Sequence, residues 1–544
     1  MNGRHVTSPS ITSPAMAGAG LAVQLRIAWR TNRRAALVWV VALVASMAFT
    51  ALAVAGLYDT PAKIQSYADA VTAGNALRAI NGHVEGIDTL GGVIQDEFGF
   101  MASFLLPLLG ISLVARMTRR EEERGRLEQL LGGRLARHHP VVSALIVTTA
   151  TIVATSVLFS VSLAIAGVGA SGAALYGLAL GALAFVFAGL AALLAQVMLH
   201  SRGVYGGGLI LLAVAYVLRG FGDVTSAGWL TWLSPLGWQE KAAPFGPQRW
   251  WTLVIPLVAG LALALAAVRL ASARDLGSAL ARQGPGPERA RSSLRTTWGL
   301  AAHTHRSAFL GWLAGGLILT GMLGVLAQQM IDAILGNPSM ADAMGLSVSV
   351  APVDGLTAVT QLYLAVVATG WTVQAVGTLR AEEAEGRLET RLAGTLSRPR
   401  WLLAQLVVVL VGLVVIVVAS SAVLALGTRW SVGEGVDSAR VMTAGLAYLP
   451  AELVLAGLAL AVYGLRPRAF PAAWAAYAVA GFVAFLGPGL QLSQWVLDLA
   501  PTTHVGNPPL GSTSWVDLGL LAAVGAGLAV VGAVAFRRRD IPQG

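Results

Sequence analysis

One polar motif occurs twice in this chain, once in each half. The residues Glu-Glu-Glu-Arg-Gly-Arg-Leu-Glu fill positions 121–128, and Glu-Glu-Ala-Glu-Gly-Arg-Leu-Glu fill positions 382–389. Other matching pairs follow in the same order, and the last of them matches Arg274 near the middle of the chain with Arg539. An ordered series of this kind indicates that one unit was duplicated and fused. We therefore predict two homologous halves that carry the same polar segment between the same elements.

The composition around these motifs is that of a membrane protein. Of the 544 residues, 56% are hydrophobic and 12% are charged, whereas a soluble domain carries about 25% charged residues. Apolar runs of about 20 residues recur, which is the length that crosses a bilayer as a helix. Backbone groups in lipid must bond within their own segment, so the sequence predicts an all-α integral membrane protein of about 12 transmembrane helices. The predicted spans are 35–57, 98–115, 142–168, 173–199, 204–221, 250–270, 309–335, 357–378, 401–427, 440–464, 470–490 and 516–536.

These spans and the repeat divide the chain into five parts. After Gln283, Gly and Pro alternate at residues 284–287. These residues do not continue a helix cheaply, so residues 283–287 indicate a linker between the halves. The five parts are a cytoplasmic tail with an interfacial helix (1–34), the first six-span half (35–270), a cytoplasmic linker with a second interfacial helix (271–308), the second six-span half (309–536) and a cytoplasmic tail (537–544).

A basic stretch before each half has the pattern of a helix that lies on a membrane surface. In the first half Leu21, Leu25 and Trp29 form an apolar stripe flanked by arginines. Leu294 and Trp298 repeat this stripe before the second half. The pattern is typical of an interfacial helix. The alternative is a simple cytoplasmic extension of the first span.

The distribution of arginine predicts the orientation in the membrane. Most arginines lie in the terminal segments and in the loops on the same side, whereas the two lysines, Lys63 and Lys241, lie on the other side. The positive-inside rule then places both termini in the cytoplasm. We expect a multi-pass protein of the bacterial cytoplasmic (inner) membrane. The net charge of +10 reflects this topology rather than nucleic-acid binding, because the arginines are spread over short loops beside spans.

The segment at 116–137 is too polar to cross the membrane. Its leucines, among them Leu127 and Leu131, lie on one side of the predicted helix with charges beside them. An amphipathic helix of this kind fits a groove on a soluble partner, and Gly125 and Gly386 permit a bend or a close backbone approach in the two copies. A solvated connector is the alternative, but Gly-Arg-Leu-Glu persists in both halves. The sequence therefore favours partner docking.

A tryptophan-rich segment precedes the sixth span. Tryptophan prefers the interface between lipid and water, and the segment is too broken to cross the bilayer. We predict a short re-entrant or interfacial helical pair here, with a loop lying on the membrane as the alternative. The tryptophans are Trp229, Trp232, Trp238, Trp250 and Trp251.

The polar motif, the spans and the tryptophan-rich segment together resemble the permeases of type-2 class ATP-binding cassette (ABC) exporters. In that family a coupling helix with the pattern Glu-x-x-x-Gly-x-Leu-Glu-x-Leu-Leu follows the second span of each half. The fused double-length form is similar to bacterial exporters of polyketide antibiotics, including the tetronasin type. One departure is Arg391, which stands where Leu130 stands in the first copy, so the docking surfaces are expected to be unequal. The residues on which the resemblance implies ATPase docking are Glu121, Glu122, Gly125, Arg126, Leu127, Glu128 and Leu131, then Glu382, Glu383, Gly386, Arg387, Leu388, Glu389 and Leu392.

ATP hydrolysis is expected in a separate polypeptide. The phosphate-binding loop Gly-x-x-x-x-Gly-Lys-[Ser/Thr] requires a lysine after glycine, and both lysines of this chain follow other residues, Ala62 and Glu240. The resemblance implies two copies of a nucleotide-binding ATPase subunit that carry ATP and Mg. This chain is then a transport subunit with no catalytic residue or cofactor of its own. Cysteine is absent and the eight histidines are scattered, so we expect no metal site.

The resemblance places the substrate path between spans one, two and five of the two halves. Few charges are available there, so a bulky hydrophobic small molecule is the expected substrate, although ordinary helix packing is the alternative for each residue alone. Glu452 lies near the middle of a span, and such carboxylates are functional candidates; a neutral or paired structural role is equally open. The expected path residues are Phe98, Phe100, Met101, Phe104, Gln361, Tyr363, Trp371 and Gln374.

The predicted function is ATP-driven export of hydrophobic drugs or antibiotics. A proton-driven twelve-span drug antiporter is disfavoured, because such proteins need buried carboxylates for proton relay and only Glu452 qualifies. Export of lipid or glycolipid by an ABC exporter stays open. A membrane enzyme or assembly scaffold lacks support, because the sequence shows no paired carboxylates and no nucleophile–base arrangement.

Overall fold

The computed structural model describes residues 14–72, 81–131, 136–225, 227–275, 277–281, 288–335, 352–394, 396–487, 492–511 and 513–540. Within these residues the chain is helical and contains no strand. Twelve helices among them are long and apolar enough to cross a membrane, which confirms the predicted all-α integral membrane fold. Residues 132–135 of the predicted charged helix, and residues 541–544 of the predicted tail, lie outside the described part.

The chain divides into two compact units, Met1–Gly284 and Pro285–Gly544. In the first unit, α1, α3, α6, α7, α8 and α10 are the helices of spanning length. Short 3₁₀ helices lie at Gly228–Leu233 and Trp250–Leu253. The helices of this unit are α1 (Pro14–Leu57), α2 (Pro61–Thr72), α3 (Leu90–Met117), α4 (Arg119–Glu123), α5 (Arg126–Leu131), α6 (His139–Ile165), α7 (Ala170–Val197), α8 (Ser201–Val224), α9 (Pro235–Lys241) and α10 (Val254–Ala273).

The second unit repeats this order of elements. Its spans are α11, α13, α15, α16 with α17, α18 and α20, and Pro450 at the start of α17 separates that helix from α16. Short 3₁₀ helices lie at Ser292–Arg295, Pro467–Ala469 and Pro501–Val505. The helices are α11 (Thr297–Val325), α12 (Ala327–Leu335), α13 (Pro352–Ala384), α14 (Arg387–Leu392), α15 (Arg398–Val432), α16 (Ser438–Leu446), α17 (Leu449–Leu465), α18 (Pro471–Leu486), α19 (Gln494–Leu497) and α20 (Trp515–Arg538).

Glycine allows the fourth and sixth spans of each unit to approach closely. In the second unit four glycines line the contact, and a Cβ added at any of them would collide with the backbone of the opposite helix. Small residues have this role in membranes because close backbone contact replaces the hydrophobic effect as the source of attraction. In the first unit Gly189 of α7 faces Gly260 of α10 in the same way. The four glycines of the second unit are Gly457 and Gly464 of α17 and Gly525 and Gly532 of α20.

The predicted interfacial helix of the first half is not a separate element. The stripe residues Leu21, Leu25 and Trp29 lie within α1, which continues without a break for 44 residues. In the second unit Trp298 lies in the first turn of α11. No proline interrupts the chain between these residues and the spans, so nothing ends the helix. In the first unit the basic stretch thus extends the first span, as in the alternative, whereas in the second unit Leu294 lies in the separate 3₁₀ helix Ser292–Arg295.

The tryptophan-rich segment forms short helices, as predicted. α9 begins after Ser234, whose hydroxyl caps the backbone amide of Leu236 at 3.2 Å and donates to the carbonyl of Ala215 in α8 at 2.6 Å. An ion pair of 2.9 Å between Glu240 and Arg219 joins α9 to α8 a second time. Burial raises the pKa of Glu240 to about 8, against the opposing effect of the Arg219 charge. These contacts pack α9 against the fifth span.

A second ion pair fastens the loop before α3 to the same region. Both amino groups of Arg249 donate to the carboxylate of Glu85, at 2.7 and 2.8 Å. The hydrogen bond from Arg249 lowers the pKa of Glu85. The loop is also in backbone contact with Phe245 at Gly86. This end of α3 is therefore fixed before the helix begins.

Candidate functional site

Each polar motif folds into a turn between two helices, whereas the sequence predicted one helix at 116–137. In the first unit the turn separates α4 from α5, and in the second it separates α13 from α14. Gly125 and Gly386 lie in the two turns with φ of +68° and +71°, a left-handed conformation that glycine adopts without strain. The bend predicted at these glycines is confirmed. We call residues 119–131 and 382–392 the first and second charged segments.

Glu122 is enclosed at the base of the first charged segment. Its carboxylate accepts from both amino groups of Arg274, at 3.0 and 2.9 Å, and pairs with Arg119 at 2.9 Å. The backbone amide of Gly277 donates a further hydrogen bond of 2.8 Å. The side chain of Glu122 is only 7% exposed. Because Arg274 directly follows α10, these contacts tie the segment to the last helix of its unit.

Glu383 has the equivalent position in the second charged segment. Its carboxylate pairs with the guanidinium of Arg539 and accepts a hydrogen bond of 2.9 Å from the hydroxyl of Tyr463. The guanidinium of Arg539 lies over the rings of Tyr463 and Phe536, at 5.2 and 5.3 Å from their centroids. Arg539 directly follows α20, the last helix of the second unit.

Both units therefore contain the same glutamate–arginine pair. We call Glu122 with Arg274, and Glu383 with Arg539, the clamps. Each clamp joins a charged segment to the end of the last helix in its own unit, and both partners belong to the repeated positions in the sequence. The expectation that Glu122 and Glu383 face a partner is corrected here, because both carboxylates are paired with arginines of their own unit. Removing one partner of such a pair leaves a buried charge without compensation.

Two leucines at equivalent positions hold the segments against the core. Leu127 is 4% exposed and Leu388 is fully buried. Leu388 packs in a cluster that includes Trp401 and Phe536, and Leu392 packs partly against it. The side chains of Leu130 and Leu131 lie outside the described residues. Leu388 and Leu392 of the second charged segment thus contact this chain rather than solvent.

The exposed face of each segment carries the remaining charges. In the first, Glu128 is exposed and Arg126 is 45% exposed while it pairs with Glu121 at 2.7 Å. In the second, Arg387 is 49% exposed and Glu389 is half-buried. These side chains, unlike the clamp glutamates, are available to a partner.

The two segments differ at the position where Arg391 replaces a leucine. Arg391 pairs with Glu382 at 2.8 Å, and Arg387 pairs with the same carboxylate at 2.7 Å. The side chain of Glu382 is 6% exposed, whereas the equivalent Glu121 is 18% exposed. Glu382 is therefore less exposed than its equivalent Glu121, and the inequality of the two docking surfaces stays a prediction.

Three of the predicted path residues are enclosed within their own unit. Phe98 is 2% exposed and packs on the ring of Phe159. Gln361 donates to the carbonyl of Val441 at 2.8 Å. Trp371 is fully buried and donates to the carbonyl of Val409 at 2.9 Å. A hydropathy pattern does not reveal which face of a span is packed, and these three side chains serve packing.

The other predicted path residues keep some exposure. Phe100 and Phe104 cluster with Tyr216 of α8, with ring centroids 5.8 and 5.1 Å from it. Gln374 accepts a hydrogen bond of 2.7 Å from Trp312. The half-exposed members of the predicted set are Phe100, Met101, Phe104, Tyr363 and Gln374.

Glu452 is buried near the start of α17. Its side chain is 1% exposed, and neither carboxylate oxygen has a hydrogen-bond partner among the described residues. A charged carboxylate is unfavourable in such surroundings, so a neutral side chain is the form that fits. The paired structural role considered for Glu452 finds no support in the described part of the chain.

Sequence reasoning missed two acidic residues in the second span. The predicted span began at 98, but α3 begins at Leu90, where the hydroxyl of Thr89 caps the amide of Gly92 at 3.0 Å. Asp96 and Glu97 thereby lie inside the helix, and Asp96 is 2% exposed. The capping threonine before an apolar run was the signal that could have located this start.

Comparison with known proteins identifies the family. The model of the family described as "Multidrug efflux system permease Rv1217c, C-terminal domain" matches residues 21–271 and again residues 294–537. The chain is also 32% identical, over 528 residues, to the multidrug efflux system permease protein Rv1217c of Mycobacterium tuberculosis (strain ATCC 25618 / H37Rv). That similarity covers 95% of this chain and 94% of the relative. The chain belongs to this family of multidrug efflux permeases.

The double match also bears on the repeat. One family model fits each half of the permease separately, so the two halves resemble the same unit. The matched ranges include both charged segments with the clamp glutamates Glu122 and Glu383, and they end at 271 and 537, a few residues before the clamp arginines Arg274 and Arg539. The permease is thus a multi-pass membrane protein built from two related halves.

Proposed function

We propose that this permease is the membrane-spanning part of an ATP-driven ABC exporter that moves hydrophobic drugs out of the cell. The family supports drug efflux, since the relative is described as a multidrug efflux permease. The type-2 ABC assignment, the similarity to tetronasin-type exporters and the ATP-driven coupling are part of the proposal and rest on the coupling-helix pattern in both charged segments.

The observation that carries the proposal is the clamp in each unit. A coupling element must have one face free for a partner and another face joined firmly to the helices that move. Glu128 and Arg387 represent the free face. Leu388 and the clamps supply the firm attachment. A push on either segment would therefore reach the last helix of that unit through a buried ion pair.

Two ATPase subunits are the proposed partners, one for each charged segment. They would bind ATP and Mg, because neither lysine of the permease belongs to a phosphate-binding loop. The resulting complex would contain one permease and two ATPases. Movement of the two halves about a central site is a general transport mechanism.

Charge reversal on the free faces tests this docking. We expect Glu128→Arg combined with Glu389→Arg to reduce co-purification of the ATPase by at least about tenfold, because like charges across an interface repel. Neither glutamate takes part in an ion pair among the described residues, so folding is expected to be unaffected. The control is Glu288→Arg, an exposed linker position.

ATP hydrolysis can be measured with the purified permease and with its complex with the ATPase. The purified permease alone should show none, and the complex should hydrolyse ATP and export a hydrophobic dye from cells. If the double reversal leaves ATPase binding and export at the level of the control, docking on these segments is ruled out. ATP hydrolysis by the verified-pure permease would contradict the proposal that a separate subunit hydrolyses ATP.

The proposed orientation puts both termini in the cytoplasm of a bacterial inner membrane, and the absence of cysteine makes it easy to test. Lys63 and Thr390 are both exposed. We expect Lys63→Cys to react with a membrane-impermeant maleimide in intact cells and Thr390→Cys to react only after the cells are opened. Labelling in the reverse order would contradict the arginine-based topology.

A proton-driven antiporter is the second candidate function. The observation that favours it is the pair Asp96 and Glu97, which together with Glu452 gives three carboxylates in spans where the sequence had suggested one. The two candidate functions differ in their energy source, which is ATP for the exporter and the proton gradient for the antiporter. Collapse of the proton gradient at constant ATP should leave export intact in an ATP-driven system and abolish it in an antiporter.

A further inference from the structure

Asp96 and Glu97 lie in a polar cluster at the end of α3 opposite the first charged segment. The hydroxyl of Tyr67, on α2, lies 2.7 Å from a carboxylate oxygen of Asp96 and 2.8 Å from one of Glu97. The amide of Asn81 donates to the same Asp96 oxygen at 3.2 Å. Burial and the neighbouring carboxylates raise the pKa of Tyr67 well above its usual value, so this hydroxyl remains a donor.

The cluster has too few positive or donating groups for its acids. A tyrosine hydroxyl has one proton, so it satisfies one of its two carboxylate contacts at a time. Among the described residues no lysine, arginine or histidine forms an ion pair with Asp96 or Glu97. Two adjacent carboxylates in such surroundings need an additional proton or cation.

Glu97 gives this cluster an open side. Asp96 is 2% exposed, but Glu97 is exposed. The cluster therefore reaches the surface of its unit at Glu97. A ligand can therefore reach it without rearrangement of the helices.

Two buried polar groups beside the acids lack partners. The hydroxyl oxygen of Tyr176 is fully buried and the side-chain oxygen of Gln95 belongs to a residue that is 4% exposed; neither has a hydrogen-bond partner in the described residues. Both side chains face the bare side of Gly99, where an added Cβ would lie 3.2 Å from the Tyr176 oxygen and 3.7 Å from Cγ of Gln95. Gly99 is one turn along α3 from Asp96. Buried acceptors without donors are uncommon in folded proteins.

These groups fit an organic ammonium ion better than a metal ion. An ammonium donates several hydrogen bonds, which suits the acceptors at Asp96 and Glu97. The rings of Tyr58 and Tyr67 meet edge to face with centroids 5.1 Å apart, and aromatic rings attract organic cations. The described residues contain no group of three acidic or histidine side chains that could hold a metal ion.

We propose that Asp96, Glu97, Tyr67 and Tyr176 form an acidic pocket that binds the ammonium group of amphiphilic amine compounds. The pocket would select cationic substrates for export, so its biological role rests on the proposed efflux function. The repeat places Thr357 and Ala358 at the positions of Asp96 and Glu97 in the second half. The second half therefore lacks this acidic pair at the equivalent positions.

Equilibrium binding of a matched pair of probes tests the pocket. The probes are dansylcadaverine and the analogue in which a hydroxyl replaces its terminal amine, titrated by fluorescence into the purified full-length permease in lipid nanodiscs. We expect the amine to bind the wild type at least about tenfold more tightly than the alcohol, since charge pairing and ring contact act on the amine alone. Asp96→Asn with Glu97→Gln should remove this preference and leave alcohol binding unchanged. Asp69→Asn, an exposed acid on α2, is the matched control and should behave as wild type.

A single variant covers the case in which the double variant does not fold. If the double variant fails to unfold cooperatively on heating, Glu97→Gln alone serves, because its side chain already contacts solvent. Equal affinity of the wild type for amine and alcohol would overturn the pocket. Equal affinity together with infrared bands for a carboxyl that loses its proton on titration would assign the site to protons alone, which also overturns it.

Export assays separate failure of the pocket from failure of the proposed function. Cells that express the wild type should export the amine faster than the alcohol, and the double variant should export both at the alcohol's rate. Export of both compounds that is insensitive to the double variant would sink the pocket and leave efflux standing. Tight binding of the amine with no export of either compound would leave the pocket and contradict the efflux function.

Discussion

Lysine in place of Glu383 is expected to abolish export while the ATPase stays bound. The carboxylate of Glu383 lies against Arg539 and Tyr463 with a side chain only 7% exposed, so Glu383→Lys puts two cations at one buried position. Breaking a buried pair costs about 3–5 kcal/mol. Since the free face of the second charged segment is unchanged, the ATPase should co-purify normally but should no longer drive dye export.

Exchange of the two charges provides the rescue for this experiment. Glu383→Arg combined with Arg539→Glu should restore at least about half of the export, because the attraction across the clamp is re-formed. Glu288→Lys is the control, since Glu288 is exposed in the linker and lies outside both charged segments. If Glu383→Lys releases the ATPase and the exchange does not rescue export, Glu383 contacts the partner directly and the clamp is not its role.

Leucine in place of Gly464 is expected to prevent folding of the second unit. At this position α17 meets the backbone of α20 at Gly532, with no room for a Cβ. A leucine would have to separate the two helices along their most intimate contact, and the neighbouring contact of Gly457 with Gly525 would be lost as well. Overpacking of this kind costs about 1–3 kcal/mol or more, which should appear as loss of monodisperse permease in detergent and a lower unfolding temperature.

Gly527 supplies the control for this substitution. It lies on the same helix, α20, but has no atom within 4 Å of an added Cβ. Gly527→Leu should therefore give the yield and unfolding temperature of the wild type. Equal behaviour of the Gly464 and Gly527 variants would show that the close contact between α17 and α20 does not limit stability.

The spans and the repeat could be predicted from sequence because both depend on patterns along the chain. A run of apolar residues long enough to cross a bilayer must be a helix, whatever surrounds it. The turn at Gly125 was also predictable, since glycine is the residue that tolerates positive φ. The start of α3 was placed too late because hydropathy falls at Asp96 and Glu97, although the helix continues through them.

The clamps could not be predicted from the same patterns. Glu122 and Arg274 are separated by 152 residues, and no local rule pairs them. The repeat contained the missing information, since Glu122 and Arg274 both recur, but a repeated charge suggests an external partner as readily as an internal one. Burial decides between these, and burial of Trp371 or Gln361 is likewise a property of tertiary packing rather than of the span pattern.

The clamps also dictate an order of assembly during synthesis. Arg274 leaves the ribosome before any helix of the second unit exists, so the first charged segment can be locked while half of the permease is still unmade. The second segment, complete by residue 392, must wait for Arg539, which follows the last membrane helix. Throughout that interval its carboxylate at Glu383 lacks its cation. In the newly made protein the clamp of the first unit is thus complete while the clamp of the second unit is still unformed and open to the cell's quality control.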